Sequence, residues 1–152
     1  MTSESVPPET ARLAALVGLW RTEGSTLESA GTPPVRIEAT DSYEWLPGRF
    51  ALLHRVEAQM GAEKIEGAEI IGYDPERGCF VSQYFGSDGP NAYEASLDEE
   101  GGRLVWRMQS SSDRFIGAFD AAGERIDGHW ELLGKGSTWV PWMNITLTRR
   151  PR

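Results

Sequence analysis

Nine turn signals at nearly regular spacing constrain this chain more than any other feature. "AGTPP", "LPGR", "MGAE", "YDPERG", "GSDGP", "DEEGG", "SSSD", "DAAGE" and "LLGKG" divide the sequence after Trp20 into segments in which apolar residues recur with a period of two. They predict ten strands: Leu19 to Ser29, Val35 to Leu46, Phe50 to Met60, Lys64 to Tyr73, Cys79 to Gly86, Ala92 to Leu97, Arg103 to Gln109, Arg114 to Asp120, Arg125 to Leu133 and Thr138 to Arg149. Short connections make successive strands antiparallel neighbours, and without helices to cover a second face such a series closes on itself to remove its edges. The expected fold is all-β, a single antiparallel up-and-down barrel of about ten strands. A two-sheet sandwich is the rival that turn spacing alone does not distinguish.

Ahead of the strands, "MTSESVPPE" reads as a flexible leader over residues 1–9, and residues 10–150 form the barrel domain. Thr10 is placed to cap a short helix through Leu19, with Leu13, Leu16, Val17 and Trp20 at helical spacing. A length of 152 residues suffices for one core without staples.

Alternation assigns faces. Val35, Ile37, Ala39, Asp41, Tyr43 and Trp45 form one inward row, and Phe50, Leu52, His54, Val56, Ala58 and Met60 another. Phe80, Ser82 and Tyr84, then Leu104, Trp106 and Met108, then Ile126, Gly128, Trp130 and Leu132 complete the interior. His129 shares the outer face with Asp127 and Glu131. Ten strands enclose more space than these side chains fill, so a ligand cavity is expected. Tyr43, Trp45, His54, Tyr84, Trp106, Met108 and Trp130 are its candidate ligand-binding residues.

Asp41, His54 and Tyr84 are the polar members of that interior and the candidate catalytic residues. His54 can orient a carbonyl or hydroxyl, Tyr84 can donate a hydrogen bond, and Asp41 can fix the His54 tautomer or act as a base. Alternatively the three satisfy one another without chemistry. Two functional classes follow: a carrier of a small apolar or aromatic molecule, or a cofactor-free isomerase, cyclase or hydratase using His54 and Asp41. A barrel packed solid, serving as an interaction domain, is a third.

Other chemistry is disfavoured. A net charge of −8, with 15 basic residues scattered among 23 acidic ones, argues against nucleic acid as a partner. The single cysteine, Cys79, cannot form an internal disulfide, and no His pair stands at metal-ligand spacing, so no metal is expected. No segment has the apolar length of a membrane span or the form of a signal peptide, and the expected location is cytoplasmic. A homodimer is left open. No nucleophile elbow or phosphate loop occurs, "NIT" at Asn144 to Thr146 reads as a chance glycosylation match, and Ser110 to Ser112 reads as a turn.

The stretch "GLWRTEG" looks like the Gly-x-Trp-x-Gly-x-Gly opening of nitrobindin-like proteins, within the calycin group of lipocalin and fatty-acid-binding barrels. With "GRF" at Gly48 to Phe50, "EGAEIIGYDPERG" at Glu66 to Gly78, "RFIGAFDAAGERIDGHWE" at Arg114 to Glu131 and "WMNITLTRR" at Trp142 to Arg150, the chain more closely resembles a calycin-like bacterial family of unassigned function (DUF1579-like). The resemblance runs from about Leu13 to Arg150. It implies that Trp20 plugs the base of the barrel beside Arg149 or Arg150, with Gly18 letting the strand bend over it. Nitrobindin-like barrels hold haem through a histidine on a late strand; here Asn144 and Thr146 stand on the face where such a ligand would be sought. Thr22 also replaces a glycine of that pattern. No cofactor is therefore expected, and any haem would fall to His54.

Overall fold

A computed structural model describes residues 5–28 and 33–151 of the chain. Among the described residues ten strands, β1 (Gly18–Thr26), β2 (Arg36–Trp45), β3 (Ala51–Met60), β4 (Glu63–Asp74), β5 (Cys79–Gly86), β6 (Gly89–Glu100), β7 (Arg103–Gln109), β8 (Asp113–Phe119), β9 (Arg125–Leu133) and β10 (Trp139–Arg150), follow one another in chain order. Each pairs antiparallel with its sequence neighbours, and β1 pairs with β10, so the sheet closes as an up-and-down barrel. Residues 1–4 of the expected leader, and Ser29 at the expected end of the first strand, lie outside the described residues. β6 is longer than its apolar pattern suggests. The two-residue connection Ser87–Asp88 lets pairing with β5 begin at Gly86 and Gly89, before the alternation starts.

The expected helix needs correction at both ends. It is a 3-10 helix, Pro8–Ala15, and Pro7 precedes it without any side-chain cap. Thr10 lies inside it, 1% exposed, and its hydroxyl has no hydrogen-bond partner among the described residues. Leu19 and Trp20 belong instead to β1. Gly18 makes the break: its φ of 135° is open to glycine, and a Cβ there would stand 2.5 Å from Arg149 Nη1.

A buried hydroxyl without a partner carries its full desolvation cost, so the isosteric Thr10→Val exchange is expected to raise stability by about 1 kcal/mol. Chemical denaturation measures this directly, and a destabilised variant would mean that the hydroxyl has a partner after all.

The helix closes one end of the barrel with Leu13 and Leu16, which pack against Trp20, Leu52, Ile71, Phe119 and Ile126. Trp20 is fully buried. Its Nε1 donates to Leu16 O at 2.8 Å, and its ring meets Phe119 edge-on at 6.2 Å. The Arg149 guanidinium lies over the indole, 4.2 Å from the ring centroid. Arg149 also donates to Val17 O and, at 2.8 Å, to Ala15 O. These carbonyls end the helix and have no partner within it, so one cation both stacks on the plug and caps the segment above it.

Two positions assigned inward by alternation are exposed: Phe50 (49%) and Val35 (38%). Phe50 follows the short Pro47–Arg49 helical turn, and Val35 precedes β2, so neither is held to the pleat. Among the described residues no helix is long and apolar enough to cross a membrane.

Candidate functional site

Above the plug the barrel interior holds a cavity of about 220 Å³. A wider concavity of about 550 Å³ on the wall around β6 to β9 is open, and its Arg114 and Glu131 are already paired, at 2.7 Å. The interior space is smaller but gathers the convergent polar groups. Tyr43, His54, Tyr84, Trp106, Met108 and Trp130 all line it, as does Asp41. Trp45 does not. It stands at the far end of β2, packs against the core beside the plug, and has Arg49 over its ring at 5.8 Å.

At the centre of the site a chain of hydrogen bonds crosses five adjacent strands. His54 on β3 contacts Asp41 Oδ1 on β2 through Nε2 at 2.7 Å, and Glu69 Oε1 on β4 through Nδ1 at 2.8 Å. Thr22 on β1 donates to Asp41 Oδ2 at 2.6 Å, and Ser82 on β5 donates to Glu69 Oε2 at 2.9 Å. The register creates this line: Trp20 pairs with Asp41, and Tyr43 pairs with His54. His54 in turn pairs with Glu69. The Tyr43 ring lies flat on the imidazole, with centroids 4.1 Å apart and 4° between planes.

Burial by itself pushes His54 toward the neutral form. The hydrogen bonds to Asp41 and Glu69, reinforced by the charge of both carboxylates, outweigh it and raise its pKa to about 9. At neutral pH both ring nitrogens therefore carry protons, and each donates to a carboxylate. Burial, then the charges of Asp41 and Glu69, hold the Tyr43 phenol well above its ordinary range. That hydroxyl has no hydrogen-bond partner among the described residues.

Tyr84 does not join His54. Its hydroxyl donates to Asp88 at 2.6 Å, and its ring lies against Gly67 and Gly86, where any Cβ would collide with it. Burial and the Asp88 bond push its pKa upward. A second cluster lies farther along the cavity wall: Tyr93 donates to Asp113 Oδ2 at 3.1 Å, Ser110 to Asp113 Oδ1 at 2.5 Å, and Asn91 to the same oxygen at 3.1 Å.

Glu69, Thr22, Asp113 and Tyr93 were not among the expected site residues. Glu69 had a readable signal, since it alternates in phase with Ile71 and Tyr73 in "EGAEIIGYD". Thr22, standing where the nitrobindin-like pattern has glycine, is 4% exposed and anchors Asp41. His129 is exposed, as its outer-face position implies.

The expectation for the last strand was one residue out of phase. Met143, Ile145 and Leu147 face the cavity, whereas Asn144 is exposed and Thr146 donates outward to Asp127 at 3.0 Å. A register shift between Pro141 and Met143 accompanies this phase. His54 offers no free nitrogen to an iron, and the two carboxylates flank opposite nitrogens of one ring, so they do not converge on a single ion.

Fold and cavity together define a closed ten-stranded barrel with an aromatic-lined interior. This chain belongs to the family described as "Protein of unknown function (DUF1579)", which matches residues 6–112. No curated protein matches the chain. Among solved structures it is similar to Rv2717c from M. tuberculosis, at 12% identity and a TM-score of 0.75, over 97% of this chain and 100% of that one. It is also similar to the S-type phycobiliprotein lyase CPES from Guillardia theta, at 12% identity and a TM-score of 0.59, over 96% and 99% of the two chains. At these identities the likeness is one of fold.

Proposed function

We propose that the barrel is a carrier that holds one small, largely apolar or aromatic molecule in its interior. The observation that carries this reading is the interior space of about 220 Å³, lined by Trp106, Trp130, Trp142, Tyr43 and Met108. Side chains that could have filled it stand around it instead, as in cavities that exchange a ligand for water. The similarity to a barrel named as a phycobiliprotein lyase fits a small-molecule ligand without identifying it.

A cofactor-free enzyme using His54 and Asp41 is the second reading, favoured by the His–Asp–Glu line on the cavity wall. Such a mechanism needs an acid or base free to reach the ligand, whereas both ring nitrogens of His54 are held by carboxylates and both oxygens of Asp41 are held by His54 and Thr22. The network is better suited to fixing one wall of a binding site.

Native mass spectrometry of freshly purified protein, compared with its denatured mass and joined to an indole titration read by tryptophan fluorescence, tests the carrier reading. The expected result is a retained adduct or a saturable response to indole. Equal masses with no response to indole would overturn it, and a Soret band in the absorption spectrum would identify haem instead.

A further inference from the structure

The charge lining the cavity is one-sided. Asp41, Glu69, Asp88 and Asp113 all border it, and among the described residues the His54 imidazolium is its one basic side chain, with neither lysine nor arginine in the lining. Asp41 and Glu69 are buried, where solvent screens charge least, so the imbalance acts on whatever enters. An anionic ligand would meet four carboxylates against one imidazolium.

A second observation is independent of the acidic residues. Tyr43 is 8% exposed and lines the cavity, yet its hydroxyl has no hydrogen-bond partner among the described residues. Thr10 Oγ1 is the one fully buried side-chain polar atom left unpaired among the described residues, so the Tyr43 oxygen opens onto the cavity, where a ligand that donates a proton can meet it. Trp106, Trp130 and Trp142 line the same space, and an aromatic ring attracts a cation placed over its face.

We infer that the ligand is a small aromatic or aliphatic amine in its protonated form, its ammonium N–H donating to Tyr43 Oη and its apolar body packed against Trp106 and Trp130. This rests on the carrier reading above and names the ligand class for the same cavity. Tyr43 is the specificity-determining contact, and Asp113 and Asp88 supply the field that favours a cation on entry.

Three ligands of similar size test this at neutral pH: 2-phenylethylamine, 2-phenylethanol and phenylacetate, titrated by calorimetry and by tryptophan fluorescence. The amine is expected to bind about ten-fold tighter than the alcohol, and the acid without saturation. Tyr43→Phe, which keeps the ring on His54, is expected to weaken amine binding about five-fold. Asp113→Asn is expected to lower the ratio of amine to alcohol affinity.

Saturable binding in which the alcohol or the acid equals the amine would overturn the cation class and leave the carrier reading standing. Tyr43→Phe binding the amine as well as the parent protein would overturn the contact assigned to Tyr43. Failure of the amine, the alcohol and indole alike would overturn the carrier reading and this inference together.

Discussion

Replacing His54 with leucine is expected to cost about 4 kcal/mol of stability at pH 6, because it leaves two carboxylates facing a side chain that offers them nothing. Asp41 and Glu69 each hold one nitrogen of the ring, at 2.7 and 2.8 Å, and both carboxylates belong to buried residues. Thr22 and Ser82 satisfy their remaining oxygens, so neither carboxylate can turn away without breaking a second bond.

The cost should depend on pH in a defined direction. His54 has its pKa raised in the folded protein to about 9, so folding favours the protonated ring. Its contribution is fully present below about pH 6.5, the ordinary histidine value. It is lost as pH rises through 9, and the total lost is about 3 kcal/mol. Denaturant unfolding of the parent and His54→Leu proteins between pH 6 and 10 isolates this term, since other titrating groups are common to both. The stability gap is expected to narrow toward pH 10. A gap constant across that range would mean that His54 is neutral throughout.

Trp20→Ala is expected to cost about 4 kcal/mol, and about 10 °C in Tm, through the cavity it opens at the closed end. Its indole is fully buried, and its loss also removes the surface on which Arg149 stacks. Arg149→Met separates the two contributions. Methionine restores much of the packed volume but cannot donate to Ala15 O and Val17 O, and about 2 kcal/mol is expected to be lost. A near-normal Tm for Trp20→Ala would show that the helix closes the barrel without its plug.

Much of the fold is legible in the sequence because its signals are local. A turn needs two or three residues with the right backbone preferences, and a strand with one buried face needs only alternation. Asp41 and His54 were readable as interior residues for that reason. Glu69 obeys the same alternation but lies between Gly67 and Ile71 in a segment that reads first as a hairpin. Alternation places Tyr84 on the cavity wall, where it stands, but the partner of its hydroxyl is Asp88, brought back to it by a two-residue turn. Thr10 failed as a cap because Pro8 starts the helix two residues earlier.

The sequence by itself determined the number of strands, their antiparallel order and the face on which most side chains stand, because period and punctuation act over neighbouring residues. Only the tertiary structure decided which nitrogen of His54 meets which carboxylate, that Trp45 is excluded from the cavity, and that the last strand presents Met143, Ile145 and Leu147 inward. Those facts depend on the register between strands and on a shift in β10, and register is set by closing the whole sheet.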